Sequence, residues 1–292
     1  MMLALDIGGT KTSLALLDDK LQVVEKKSIA TEFSNWQDYA AALSVLTSDW
    51  RFETVAVATT GRIVDGVLQP LNTDMISFWA GFPIKAKLES FFAKPVFVIN
   101  DAAAAAWGEY RHLAQGADNS VENLLYLTVS TGVGSGLILN RQLVTSANGL
   151  GSHAGHSQHS LSDVEEIQCS CGRYNCVETI ASGTAISTRA SQACGEALTT
   201  IEVFSRYESD ARCASVINQS AQVISELITN INAIVGLDIV VLGGGVGLNE
   251  HFQALVRNYL SSLPAAYKTP IASAALGVDS GLYGGAALAP SH

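Results

Sequence analysis

A strand, a glycine turn and a second strand occur twice in this chain, and the repetition points to a fold built from two similar α/β halves. The first copy runs Leu3 to Ile7, Gly8-Gly9, then Ser13 to Leu17, and Asp18-Asp19 with Val23 to Ile29 extends it into a meander. The second runs Leu124 to Val129, then Ser130-Thr131-Gly132-Val133-Gly134-Ser135-Gly136, then Leu137 to Leu139. Helical and extended stretches alternate behind each copy. Trp36 to Leu46 and Pro83 to Phe92 read as helices, with Thr54 to Ala58 and Pro95 to Ile99 as strands. Asn100-Asp101 then breaks into Ala102 to Tyr110, whose alanines favour helix. In the second half Gly183 to Ala193 and Ala211 to Val235 read as helices, and Ile239 to Leu242 as a buried strand. Gly243-Gly244-Gly245 follows as a turn, with a helix from Asn249 to Leu260. The small apolar stretch Gly281 to Ala289 reads as a last packed helix. Two α/β domains facing a cleft are the expected result.

The chain has 292 residues, 48% of them hydrophobic, ample for one large or two medium domains that fold without disulfides. Lys and Arg number 17 against 27 Asp and Glu, a net charge of -10, which argues against a nucleic-acid surface built on clustered cations. No apolar run approaches the roughly 20 residues needed to span a bilayer. The expected partners are small molecules, with neither nucleic acid nor membrane among them.

The densest chemical signal is a short stretch with His153, His156 and His159, then Cys169, Cys171 and Cys176, and Glu178 two positions on. Three of the five cysteines fall within eight positions, and a histidine stands about a dozen residues upstream. These are the ligand types of a tetrahedral zinc site, with Gly172 permitting the tight return that brings Cys176 back to the same ion. His156 closes a Cys3His set, with His153 and His159 as rival fourth ligands. Free buried thiols or a disulfide are the alternatives. Met1 to Asp6 reads directly into a strand with no secretory segment, so the cysteines are expected in a reducing cytoplasm. Cys194 and Cys213 lie in helical stretches and read as core fillers.

Asp6-Ile7-Gly8-Gly9-Thr10-Lys11 puts a carboxylate at the end of one strand and two glycines in the turn to the next. Glycine lets backbone N–H groups approach phosphate oxygens, and Thr10 and Lys11 add a hydroxyl and a cation. Alone this pattern is more often an ordinary hairpin turn. With Thr131-Gly132-Val133-Gly134 and Gly243-Gly244-Gly245 it becomes a set suited to gripping a nucleotide. Neither a P-loop nor a dinucleotide-binding glycine fingerprint is present. Phosphoryl transfer needs a base beside the attacking hydroxyl, and Asp101, following a buried strand, suits it. The same position suits a helix cap, and Asn100 suits either capping or substrate binding.

The ordered set of Asp6-Ile7-Gly8-Gly9-Thr10-Lys11, Asn100-Asp101-Ala102, Ser130-Thr131-Gly132-Val133-Gly134 and Cys169-Ser170-Cys171-Gly172-Arg173-Tyr174-Asn175-Cys176-Val177-Glu178 closely resembles the ROK family of sugar kinases and sugar-responsive repressors. The resemblance implies a two-domain, actin-like ATPase (ribonuclease H-like) α/β fold with a central ligand cleft and a zinc knuckle. It implies an N-terminal domain over 1–118 joined by a returning helix in 278–292. A C-terminal domain over 119–277 would carry the zinc segment 153–178. ATP, Mg2+ and a structural Zn2+ are implied, as is a homodimer. By the same resemblance Asp6, Gly8, Gly9, Thr10, Lys11, Thr131, Gly132 and Gly134 surround the phosphates, and Gly243, Gly244 and Gly245 lie near adenosine. Asp101 accepts the proton of the sugar's 6-hydroxyl. Gly61, Arg62, Asn100, His153, His156 and Glu178 hold the sugar, while His156, Cys169, Cys171 and Cys176 bind zinc. His153 stands where many glucose-phosphorylating relatives carry Glu, which favours N-acetylmannosamine. Glucose, N-acetylglucosamine and fructose are the alternative substrates. A repressor would need a DNA-binding segment before a first strand that already starts at Leu3.

Overall fold

The computed structural model describes residues 1–69, 80–115, 120–161 and 166–290. The domain boundary expected at 118/119 lies outside the described residues. The chain divides into two compact units: Met1–Gln115, Leu143–Gly151 and Val278–His292 form one, Gly116–Gln142 and Ser152–Gly277 the other. No helix among the described residues is long and apolar enough to cross a membrane.

In the first unit β1 (Met2–Ile7), β2 (Lys11–Leu17) and β3 (Val23–Ala30) form the expected meander. They are followed by α1 (Trp36–Thr47), β4 (Thr54–Thr59), a small hairpin of β5 (Arg62–Val64) and β6 (Val67–Gln69), α2 (Ile84–Phe92), β7 (Val96–Asn100) and α3 (Asp101–Ala114). The sheet order is β3-β2-β1-β4-β7, with β1, β4 and β7 parallel. Thr54-Val55-Ala56-Val57-Ala58-Thr59 is buried at every position, as a central parallel strand covered on both faces must be. At the edge, β3 exposes Val23 and Val24 but follows them with Glu25, Lys26 and Lys27, charges that discourage further strand pairing.

Alternation along β1 sorts side chains by size. Leu3, Leu5 and Ile7 join Tyr39, Leu43 and Val57 in one core, whereas Ala4 packs with Ala15 and Ala56 beneath Leu282 and Ala286 of the last helix, Ser280–Leu288. Small residues on that face let the last helix lie close. It lies closer still to α3: a Cβ on Gly284 would sit 1.7 Å from the Ala104 carbonyl oxygen and 2.8 Å from the Gly108 nitrogen. Buried Glu109 of α3 accepts a hydrogen bond from Ser280 at 2.9 Å and fixes the start of the last helix.

The second unit repeats the plan. It contains β8 (Leu124–Val129), β9 (Val133–Leu139), β10 (Gln142–Leu143), α4 (Glu178–Ala181), α5 (Gly183–Cys194), α6 (Thr200–Ser205), α7 (Ala211–Val235), β11 (Ile239–Gly243), α8 (Gly244–Gly247), α9 (Glu250–Ser261) and β12 (Ile271–Ser273). The order β10-β9-β8-β11-β12 again joins an antiparallel hairpin, β8 with β9, to parallel strands, β8 with β11 and β11 with β12. Along the 25-residue α7, Cys213, Val216, Ile217, Ser220, Ile224, Leu227 and Ile228 recur at helical spacing and are buried. Asp210 caps its start, and Gly236, at φ 66°, ends it in the left-handed conformation.

Gly284→Ala is expected to lower stability by about 1–3 kcal/mol through overpacking of the last helix against α3. Urea unfolding of the variant beside the parent checks this, and an unchanged midpoint contradicts the packing.

Candidate active site

The expected site residues of the first unit stand at or near the carboxyl ends of its parallel strands, where open α/β sheets place ligands. Asp6 closes β1, Gly61 and Arg62 follow β4, and Asn100-Asp101 joins β7 to α3. Asn100, rather than Asp101, is the helix cap: its Oδ1 accepts from the Ala103 N–H at 3.1 Å. The Asn100 amide also donates to the Gly61 carbonyl at 3.0 Å and to Asp101 Oδ1 at 3.1 Å, and the same oxygen takes the Ala102 N–H at 2.8 Å. Asp101 is thereby held in one orientation. Its carboxyl is nonetheless pushed above the usual carboxylate range by burial, against the lowering from those hydrogen bonds.

Asp6 behaves in the same way. Burial first, then repulsion from Asp101 and Asp279, raise its pKa to about 7, while Lys26 and Lys11 oppose the rise. The last helix presses on it, since a Cβ on Gly281 would lie 3.0 Å from Asp6 Oδ2. Asp279, ion-paired with Lys26, had no signal of its own in the sequence beyond a lone acid before a small-residue helix. In the turn between β1 and β2 the Gly8 N–H donates to the Lys11 carbonyl at 3.0 Å, and Thr10 and Lys11 are exposed.

Arg62 donates to the Asn148 carbonyl at 3.1 Å and to Gln69 Oε1, and among the described residues its buried Nε has no hydrogen-bond partner. A buried donor in that condition is costly unless a ligand satisfies it. In the sequence Arg62 had no signal of its own and entered only through the family resemblance, as a residue that holds the sugar.

In the second unit the loop from Ser130 to Gly132 closes through Ser130 N–H to the Gly132 carbonyl at 2.9 Å. Glu178, the first residue of α4, accepts the Val133 N–H at 3.0 Å, and a Cβ on Gly132 would come within 2.7 Å of Glu178 Oε2. The loop and Glu178 are therefore locked together. Beside them a single 3-10 turn, Ala154–His156, carries His156, with His153 immediately before it and the two imidazoles stacked at 6.4 Å. That turn is pressed onto the loop: a Cβ on Gly155 would lie 2.1 Å from the Val133 carbonyl oxygen.

His156, Cys169, Cys171 and Cys176 converge, their donor atoms all within 4.8 Å of one another. His156 Nδ1 lies 3.5 Å from Cys169 Sγ, and Cys171 Sγ lies 3.6 Å from Cys176 Sγ. Tetrahedral zinc, with bonds of about 2.0–2.3 Å, separates its ligand atoms by about 3.3–3.8 Å, so both pairs match in chemistry and spacing. The cysteines carry no disulfide. Burial and then the adjacent thiols push Cys176 far above the ordinary range, a strain that a cation relieves. Gly172, at φ 85°, makes the tight return expected of it. His159 is outside this group: its Nδ1 accepts from the Leu161 N–H at 3.2 Å.

A cleft of ≈ 680 Å³ in this unit is lined by Ser130, Thr131, Gly183, Thr184, Thr200 and Gly245 among others. Of the expected nucleotide residues, Thr131 and Gly245 line it. Gly243 and Gly244 stand behind, where Cβ atoms would meet Tyr126 Oη at 2.5 Å and the Val129 carbonyl oxygen at 2.4 Å. The expected glycine turn is the end of β11 followed by a turn of helix, because Gly244 takes φ 80° to pass β8. Gly134 pairs with Thr128 in the β8–β9 ladder. The hydroxyl-bearing residues Thr184, Ser187, Thr188 and Thr200 line the cleft but escaped sequence reading, because single hydroxyls on a polar helix carry no motif.

The family model described as "ROK family" matches residues 2–292. The chain is 38% identical over 287 residues to N-acetylmannosamine kinase of Yersinia pestis (strain Pestoides F), covering 97% of this chain and 96% of that protein. A ROK hexokinase structure from Thermus thermophilus superposes with a TM-score of 0.82 at 31% identity, covering 98% of this chain and 96% of that one. A ROK family glucokinase from Streptomyces griseus, in complex with glucose and AMPPNP, shares the fold with a TM-score of 0.79 at 24% identity, over 99% of this chain and 98% of that one.

Between about pH 4 and 7 the folded chain holds a proton on Asp6 that the unfolded chain has released. This contribution to stability therefore falls as pH rises through that window. Urea midpoints across it are expected to decline more steeply for the parent than for Asp6→Asn, and parallel profiles contradict the assignment.

Proposed function

The chain belongs to the ROK family, and on that footing we propose that it is an ATP-dependent kinase that phosphorylates N-acetylmannosamine at the 6-hydroxyl. The product, N-acetylmannosamine 6-phosphate, would serve sialic acid breakdown. The full-length kinship with N-acetylmannosamine kinase supports the substrate. The observation that carries the chemistry is Asp101, a carboxylate of raised basicity held by Asn100 at the end of β7.

Asp101 accepts the 6-hydroxyl proton as the oxygen attacks the γ-phosphorus and ADP departs. Its raised pKa suits a base that must take a proton near neutral pH. Asn100, Gly61 and Arg62 bind the sugar's hydroxyls, the buried Arg62 Nε supplying a donor that needs an acceptor. In the second unit His153, His156 and Glu178 carry the sugar-facing role that the family implies. Glu178 transmits the position of the Val133 amide. Gly8, Gly9, Thr10, Lys11, Thr131, Gly132 and Gly134 serve the phosphates, and Gly243 to Gly245 serve adenosine, with Gly245 closest to the ligand because it lines the cleft. Magnesium, when bound, would neutralise charge on the transferred phosphoryl group, and Asp6 would help to hold it.

Zinc is proposed as a structural ion on His156, Cys169, Cys171 and Cys176, supported by the convergence of four suitable donors. With four protein ligands it leaves no open position for catalysis. Its task is to hold the turn that bears His153. A cytoplasmic location goes with the free thiols, and a homodimer is carried over from the family resemblance. Sedimentation reads out the second of these.

A coupled assay across N-acetylmannosamine, N-acetylglucosamine, glucose and fructose is expected to show the highest kcat/KM for the first, and a clear preference for glucose sinks the substrate. Asp101→Ala is expected to lower kcat by about 10²–10⁴ while calorimetric ATP binding persists. An active variant removes Asp101 as the base. Elemental analysis is expected to find one zinc per chain, lost together with much of the thermal stability in Cys176→Ser. Metal-free protein of full stability excludes the structural role.

A further inference from the structure

Two thiols outside the zinc-type cluster also lie together. Cys194 ends α5 and is partly exposed, whereas Cys213, in the first turn of α7, is fully buried. Their sulfurs are 3.9 Å apart. Asp210 stands beside them, 3.7 Å from the Cys194 sulfur, and the three groups have the spacing of a metal donor set. Asp210, however, is already committed. Its Oδ1 accepts the Arg212 N–H at 2.9 Å and Arg212 Nε at 3.0 Å, and Oδ2 accepts Arg212 Nη2 at 2.7 Å. A dication bound there would displace or face that guanidinium. What remains available to chemistry is the sulfur pair.

We propose that Cys194 and Cys213 are a reversible dithiol–disulfide site, oxidised by a hydroperoxide, that staples the end of α5 to α7. A disulfide requires about 2.05 Å between sulfurs. Cys194 is the last residue of its helix and precedes Gly195 at φ 73°, so side-chain rotation with a small shift of the helix end closes the gap. The accessible Cys194 sulfur attacks the peroxide oxygen, the O–O bond breaks, and a sulfenic acid and water form. The Cys213 sulfur then attacks the Cys194 sulfur, the S–O bond breaks, and a second water leaves. Overall two thiols lose two hydrogens and one hydrogen peroxide becomes two waters. Burial raises the Cys213 thiol, which fits the second, resolving role.

The staple bears on the cleft wall. Gly183, Thr184, Ser187 and Thr188 of α5 line the cleft, as does Thr200 at the start of α6, just past the turn that Cys194 opens. Fixing the end of α5 to α7 restrains that wall. This inference rests on the sulfur geometry alone and stands independently of the sugar assigned above.

The test uses the full chain, purified with zinc in the buffer, exposed to excess hydrogen peroxide, alkylated and digested with trypsin. Cleavage at Arg206 and Arg212 separates the two cysteines. Expected is a linked pair of peptides containing Cys194 and Cys213, lighter by two hydrogens and released by dithiothreitol. With it, Tm is expected to rise by about 5 °C. Cys194→Ser is expected to lose both the linked pair and the rise, as is Cys213→Ala, chosen to respect burial. If the latter fails to fold, the Cys194→Ser arm decides. Recovery of Cys194 alkylated or over-oxidised beside free Cys213, or joined to Cys171, overturns the proposal. So does a second zinc per chain that Cys194→Ser removes, which would make the pair a metal site.

Discussion

At Gly284 the last helix meets α3 backbone against backbone, and the end of the first unit that carries Asp6 and Asp101 depends on that. Gly284 faces the Ala104 carbonyl, and the run Ala102 to Ala106 with Gly108 offers a surface of almost bare backbone. Close packing of this kind gains dispersion energy atom by atom and tolerates no added methyl. Two consequences follow from a helix pair fixed so tightly. The start of α3 holds Asn100 and Asp101 at the end of β7, and the start of the last helix brings Gly281 and Asp279 against Asp6.

Electrostatics at that end is a contest that burial wins. A carboxylate in the first turn of a helix gains roughly 0.3–1 kcal/mol from the helix dipole, up to about 2 in partly buried geometry. Asp101 has that position, together with an N–H from Ala102 and an amide from Asn100, and its proton affinity is still raised. Since a pKa unit is worth about 1.4 kcal/mol, desolvation must exceed the sum of these favourable contacts. Asp6 shows the same outcome with two neighbouring acids adding to it. The site stores proton affinity in surroundings that would relax on the arrival of cations and a hydroxyl donor.

The architecture was legible because its signals are periodic. Alternating or continuous apolar runs marked β1, β4, β8 and β11, the alanines marked α3, and α7 was bounded at Ala211 and Val235 by its cap and its glycine. Spaced cysteines likewise announced a donor cluster before any geometry was known. Less legible were features set by tertiary contact. Gly243 and Gly244 read as ligand-facing glycines, and tertiary contact gives them a second reason that the sequence could not show, since a Cβ on either would meet Tyr126 or the Val129 carbonyl. The capping role offered for Asp101 belongs to Asn100, a choice that side-chain geometry makes and residue type does not. Asp279 and the threonines of α5 and α6 gave no warning, because a lone polar residue has no period. Cys194 and Cys213 read as filler from their helical setting, and their proximity comes from the packing of α5 on α7.

The contact between Gly155 and the Val133 carbonyl ties two tasks that are usually thought separable. The turn bearing His153 and His156 touches the loop whose neighbouring amide Glu178 holds, and there is no slack between them. On the proposed roles, a designer who reshapes that turn to admit a different sugar would also move the backbone of the phosphate loop. Substrate choice and turnover would then be traits that evolve as a pair, a switch of preference needing compensating changes on both sides of that glycine.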